Sequence, residues 1–165
     1  MSATESTPAD EALMARAKEL LDHFKDGGTL KSYARLTDED LEAIYAVAHN
    51  QFTARKYDKA VDLFKFLCLY DHTEPRWFYG LGIARQHAGD YAGAVEAYGL
   101  ATILDVENPR PQAQAGYCLL AMERWPEAQS ALEGTLMVCG ENPAHADVKR
   151  QAEGLLTTAK AKTGK

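Results

Sequence analysis

The chain has 165 residues and a mass of 18.2 kDa, enough for one domain, or two very small ones, whose core needs no disulfide or metal staple. Hydrophobic residues make up 46% and charged residues 25%, which excludes a disordered, collagenous or rod-like chain. The 18 Lys and Arg against 24 Asp and Glu leave a net charge of -6, which disfavours a nucleic-acid partner. No apolar run reaches the roughly 18 to 20 residues of a membrane span, and the N-terminus lacks the basic flank and apolar stretch of a signal peptide. A soluble cytosolic protein without direct membrane insertion is expected.

In chain order, residues 1–8 are polar and expected to be disordered. Leu13, Ala17, Leu20, Leu21 and Phe24 then recur at helical spacing, predicting an amphipathic helix over 9–25 that breaks at Asp26-Gly27-Gly28-Thr29. A short segment, Leu30 to Leu36, is helical or irregular and belongs to an N-terminal unit of residues 9–40. After the cap signal Thr37-Asp38, a period of 34 residues takes over. Ala60, Ala94 and Ala128 share one column. Tyr57, Tyr91 and Trp125 stand three residues before each Ala, Phe64, Tyr98 and Leu132 four after, and Ala48, Gly82 and Gly116 twelve before. Small residues let two helices approach and aromatics fill the angle between them, so the unit is a helix hairpin.

Pro75, Pro109 and Pro143 keep the same period, behind Glu74, Asn108 and Asn142. Proline is tolerated at the first helical position and Asn is a favoured N-cap, so each Pro is expected to open a helix. In period and residue classes the chain resembles the tetratricopeptide repeat. The expected fold is all-α: a right-handed superhelical stack of three such hairpins at 41–74, 75–108 and 109–142. A capping helix follows over 143–160, ending near Ala159, with a basic tail at 161–165.

The first helix of each hairpin lines a concave face. Its positions, three to four residues apart, are Tyr45, His49 and Phe52, then Arg76, Tyr79, Ile83 and Gln86, then Arg110, Ala113, Tyr117 and Leu120. This list is apolar and aromatic, which fits a groove for a peptide with apolar anchors; the alternative is that several of these side chains pack on their own neighbouring helices. A carboxylate-clamp cochaperone is disfavoured, because that capture needs Lys, Arg and Asn here. The five His fall on separate elements, so no catalytic arrangement is expected. Cys68, Cys118 and Cys139 show no metal-ligand spacing and read as buried free thiols. No cofactor is expected.

The run Phe64-Lys65-Phe66-Leu67-Cys68-Leu69-Tyr70-Asp71-His72, then Arg76-Trp77-Phe78-Tyr79-Gly80-Leu81-Gly82, Arg85-Gln86 and Gly89-Asp90-Tyr91, resembles the class II chaperones of bacterial type III secretion systems. Tyr98, Ala101, Asp105, Pro109-Arg110-Pro111 and Cys118-Leu119-Leu120 continue in that family's order. The resemblance implies a bacterial cytoplasmic chaperone, not an enzyme, that holds an extended N-terminal segment of hydrophobic translocator proteins by its Pro and Leu anchors. It implies that Tyr45, Phe52, Tyr79 and Tyr117 wall the anchor pockets and that His49, Arg76, Gln86 and Arg110 supply polar contacts. Tyr117 stands where a polar residue is expected and His49 where a larger aromatic is usual. It further implies homodimerisation through residues 9–25, with Leu13, Ala17, Leu20, Leu21 and Phe24 as the apolar face. The rival reading, for which the period alone suffices, is a generic tetratricopeptide scaffold for complex assembly.

Overall fold

The structure, a computed structural model, describes residues 8–163. The disorder expected for the N-terminus therefore falls on residues 1–7, outside the described residues, as do the last two residues of the basic tail. Pro8 already belongs to a helix.

All regular structure among the described residues is helical. Two helices precede the repeats: α1 (Pro8–Lys25) and the short α2 (Leu30–Ala34). The hairpins are α3 (Asp38–Thr53) with α4 (Tyr57–Tyr70), α5 (Pro75–His87) with α6 (Tyr91–Leu104), and α7 (Pro109–Ala121) with α8 (Trp125–Cys139). A 3-10 turn, Pro143–His145, leads into α9 (Ala146–Thr163). Tyr57, Tyr91 and Trp125, the aromatic column, each open a second helix.

The capping devices follow the sequence. Glu74 and Asn108 accept the N–H groups of Arg76 and Arg110, both at 3.1 Å, ahead of the N1 prolines of α5 and α7. Asn142 accepts the N–H of Ala144 at 3.0 Å in the same way. Here, however, Pro143 opens a 3-10 turn, because the His145 N–H bonds the Asn142 carbonyl three residues back. The capping helix proper starts at Ala146 and runs past Ala159, which is fully buried, to Thr163. Each hairpin reverses through a residue in the left-handed region: Arg55 (φ 58°), Gly89 (φ 85°) and Glu123 (φ 59°), again 34 apart. Only glycine reaches that region without a penalty of roughly 1 kcal/mol.

The core is one larger cluster running from α3 to α6, followed by smaller ones along the stack. Ala60, Ala94 and Ala128 are each 0% exposed. A Cβ on Gly82 would run into the Tyr98 ring, so α5 and α6 meet at ring contact. Leu41, Phe64, Leu67, Trp77 and Leu81 form the first cluster, Tyr98 and Cys118 the second. Leu132, Ala152 and Leu156 belong to the last, closed by α9. From α3 onward helices pack on their chain neighbours, α9 reaches back to α7 as well, and α2 touches α4.

α1 lies outside this stack: Leu13, Leu21 and Phe24 are 69%, 59% and 38% exposed. His23 ties it to α2: its Nε2 lies 2.8 Å from Ser32 Oγ and 3.1 Å from the Thr29 carbonyl. Lys31 pins α2 to the repeats through Asp38 and through Asp71 at 3.4 Å.

Candidate peptide-binding groove

α3 and α5 face one another as first helices of successive hairpins. Tyr45, His49 and Phe52 project from α3 at i, i+4 and i+7, and Arg76, Tyr79 and Ile83 from α5 at i, i+3 and i+7, so each set shares one helix face. The six meet around a hollow of about 280 Å³, together with Phe64 and Gly80. Phe64 is the floor. It is 4% exposed, and the Tyr45 ring stands edge-on to it at 6.0 Å. A side chain at Gly80 would overlap the Phe64 ring, so this glycine lets the floor lie flat beneath α5. Sequence reasoning missed both residues. The Phe64 column reads as packing inside a hairpin, and Gly80 enters only within the run from Arg76 to Gly82.

At one rim Arg76 is held in place by Glu42 (2.7 Å) and Glu74 (3.2 Å) and lies 4.8 Å over the Trp77 ring. Hydrogen bonds to Glu74 and Glu42 raise its pKa above the usual arginine value, so a fixed cation borders the pocket. Burial pushes the Tyr79 phenol up, against a smaller opposing effect of Arg110; it stays neutral and can donate. At the other rim Phe52 packs edge-on to His87 at 5.0 Å. A cavity of about 150 Å³ holds a benzene ring, so this one admits one or two aliphatic side chains.

The remaining candidates lie elsewhere. Ala113, expected on the groove, is 1% exposed and packs with Cys139 and Val148; α9 covers it. Leu120 turns toward Leu132, Ala152 and Leu156 for the same reason. Gln86 is half-buried and accepts the Tyr98 hydroxyl at 2.7 Å, with Cys118 Sγ at 3.5 Å, so its carbonyl is spent inside the stack. Arg110 pairs with Asp147 at the start of α9, at 3.0 Å. Tyr117 is 40% exposed and does not line the hollow. On α1, Leu13, Ala17, Leu21 and Phe24 are exposed and Leu20 half-buried.

Cys118 and Cys139 are buried; Cys68, expected to be buried, is only partly so, since it sits near the open edge of the first hairpin's cluster. Burial still pushes the Cys68 and Cys118 thiols up to about 12. A protonated thiol is a poor nucleophile and metal ligand, and no grouping of three or more His, Cys, Asp or Glu that would hold a metal occurs among the described residues. The arrangement offers an apolar pocket with polar rims and no nucleophile-base pair.

Comparison with known proteins finds relatives of this fold. The tetratricopeptide repeat family model matches residues 41–73 and 78–108. "Low calcium response locus protein H" of Yersinia pseudotuberculosis is 32% identical over 139 residues, covering 84% of this chain and 83% of that protein. The type III secretion translocator chaperone SycD of Yersinia enterocolitica is 30% identical with a TM-score of 0.73, over 79% of this chain and 98% of that one; a further SycD structure is an alternative dimer. PcrH, in complex with the chaperone binding region of PopD, is 32% identical with a TM-score of 0.73, over 78% of this chain and 96% of that one.

Proposed function

The chain belongs to the type III secretion translocator-chaperone family, and from that premise we propose that it binds an extended segment of a hydrophobic translocator in the groove between α3 and α5 and keeps that client dissolved in the bacterial cytoplasm until export. The observation that carries this reading is the solvent-open hollow walled by Tyr45, Phe52, Tyr79 and Ile83. PcrH, a relative over most of the chain, is solved with the chaperone binding region of PopD. The family is one of chaperones, not enzymes. Its work here follows from mass action: a partner that binds an aggregation-prone chain lowers its free concentration, and an extended ligand presents alternate side chains to a preformed pocket. No nucleotide enters the scheme.

Self-association through α1 is part of the proposal. Among the described residues Leu13, Leu21 and Phe24 of α1 are exposed, and SycD has an alternative dimer.

Co-expression with a cognate translocator tests the holding function. The wild-type chain keeps the client soluble, whereas Tyr79→Ala or Tyr45→Ala weakens binding by about tenfold or more with helicity intact; unchanged binding in both variants overturns the groove assignment. In a pull-down from a type III-positive lysate, hydrophobic translocators support the chaperone, and a soluble assembly lacking them supports the scaffold reading.

A further inference from the structure

A second hollow, of about 450 Å³, opens at the turn joining α3 to α4; Arg55, Lys56, Lys59 and His87 line it with Tyr57 and one acid, Asp58. The same turn occurs three times with different chemistry. In the second hairpin Asp90 caps α6, accepting the Gly93 N–H at 2.9 Å, and lies 3.7 Å from Arg85. In the third, Arg124 pairs with Glu127 at 3.1 Å. In the first hairpin Lys56 matches Asp90 and Arg124, Lys59 matches Gly93 and Glu127, and Arg55 matches Gly89 and Glu123. Among the described residues Arg55, Lys56 and Lys59 make no ion pair and no side-chain hydrogen bond, and Lys56 stands at the N-cap of α4 without a side-chain cap hydrogen bond. Arg55 moreover holds the left-handed position that Gly89 takes next door. Three unpaired cations within five residues repel one another, in a protein whose net charge is -6. A concave wall on which Arg55, Lys56 and Lys59 outnumber the single acid Asp58 concentrates that field.

This basic hollow adjoins the apolar one. Phe52 walls the first pocket, while Tyr57 and His87 line the second. The Phe52 ring lies 5.5 Å from that of Tyr57 and 5.0 Å from that of His87, so the partition is one ring thick. We propose that the basic hollow is an acidic subsite of the client groove, taking the carboxylate of an Asp or Glu side chain about two to four residues from the client's apolar anchor, the distance an extended chain at roughly 3.3 Å per residue needs to cross the partition. The proposal rests on the groove reading above and adds to it the charge pattern of the preferred client. The apolar pocket accepts any aliphatic anchor of the right volume, and the basic hollow discriminates among them by sign.

The test uses the full chain and short fluorescein-labelled extended peptides with Pro and Leu anchors, identical except for Asp, Asn or Lys at two, three or four residues from the anchors on either side, read by anisotropy. At low salt the best Asp peptide is expected to bind about tenfold more tightly than its Asn counterpart, and the Lys peptide more weakly than both. That preference falls below about twofold at 0.5 M salt, because exposed charges are screened over a few ångströms there, and likewise in the combined Arg55→Gln, Lys56→Gln, Lys59→Gln variant, its fold checked by circular dichroism. Lys59→Glu alone, a single exposed change, is expected to reduce the Asp preference and narrow the gap to the Lys peptide. Equal binding of Asp and Asn peptides to the wild type, or an Asp preference that survives in the triple variant, overturns the subsite and leaves the groove standing. Failure of every peptide to bind overturns the groove and the subsite with it.

Discussion

The junction between α3 and α5 and the junction between α7 and α9 share a register yet end in opposite states. Tyr45, Tyr79 and Ala113 stand 34 residues apart on successive first helices, as do Phe52, Gln86 and Leu120. At the first junction Tyr45 and Tyr79 stand between helices that are not packed directly on one another, and the space between them is the hollow. At the last, Ala113 lies against Val148, α9 packs directly on α7, and the space is core. A large ring props neighbouring helices apart, whereas alanine lets them close to packing distance. The repeat period thus settles which positions face the next helix, and side-chain volume there settles whether the junction becomes a groove or a wall.

The sharpest break of this contrast lies in the closed half. Leu132→Ala empties a fully buried site and is expected to cost about 2–5 kcal/mol, read as a lowered denaturant midpoint at constant slope; a loss below about 1 kcal/mol would show that the closed junction can collapse around a void. Ala113→Tyr moves the groove's residue into the wall. It is expected to cost about 1–3 kcal/mol and to speed hydrogen exchange in α9; full protection of α9 in that variant would mean that volume is not what separates the two junctions.

A smaller effect is expected at the open end. Burial works to raise the Asp71 pKa, but hydrogen bonds from Thr73, with the Thr73 hydroxyl at 2.7 Å, and from Lys31 outweigh it and hold the carboxyl below its usual range. A depressed carboxylate stabilises the fold above its unfolded value near 3.9 and loses that contribution as pH falls through the folded value. Lys31, its pKa raised first by the hydrogen bond to Asp38, contributes below about 10.5 and loses this as pH rises through its folded value. Thermal stability should therefore be level from about pH 5 to 9 and fall below pH 4. Asp71→Asn should remove about 1 kcal/mol at neutral pH and flatten the acid limb; an unchanged acid limb would assign it to other carboxylates. The smallest change is Leu21→Asp on α1, within about 0.5 kcal/mol, because that side chain is exposed. If α1 dimerises the chain, sedimentation of the same variant shows a monomer; an unchanged dimer removes α1 from that role.

Much of the architecture was legible because each repeat column answers to a local rule. The prolines of α5 and α7 sit where a missing N–H does no harm, the aromatics open the second helices, and the alanines mark helix crossings. The groove was half legible. Tyr45, His49, Phe52, Arg76, Tyr79 and Ile83 share faces that helical spacing defines. Phe64 reaches the pocket from a second helix, and Gly80 acts by what it lacks, so neither carries a signal in the first-helix pattern. Ala113 and Leu120 occupy groove positions by period and core positions by burial, because spacing says nothing of which helix comes next.

The sequence by itself determined that this is a stack of helix hairpins, and it marked the starts of α5 and α7 and of the second helices, since these follow from interactions spanning a few residues or one 34-residue period. Only the tertiary structure decided which of the equivalent faces stays open. That outcome depends on the volumes of side chains from three helices meeting at one point and on the presence of α9, which covers the last face and leaves the first open.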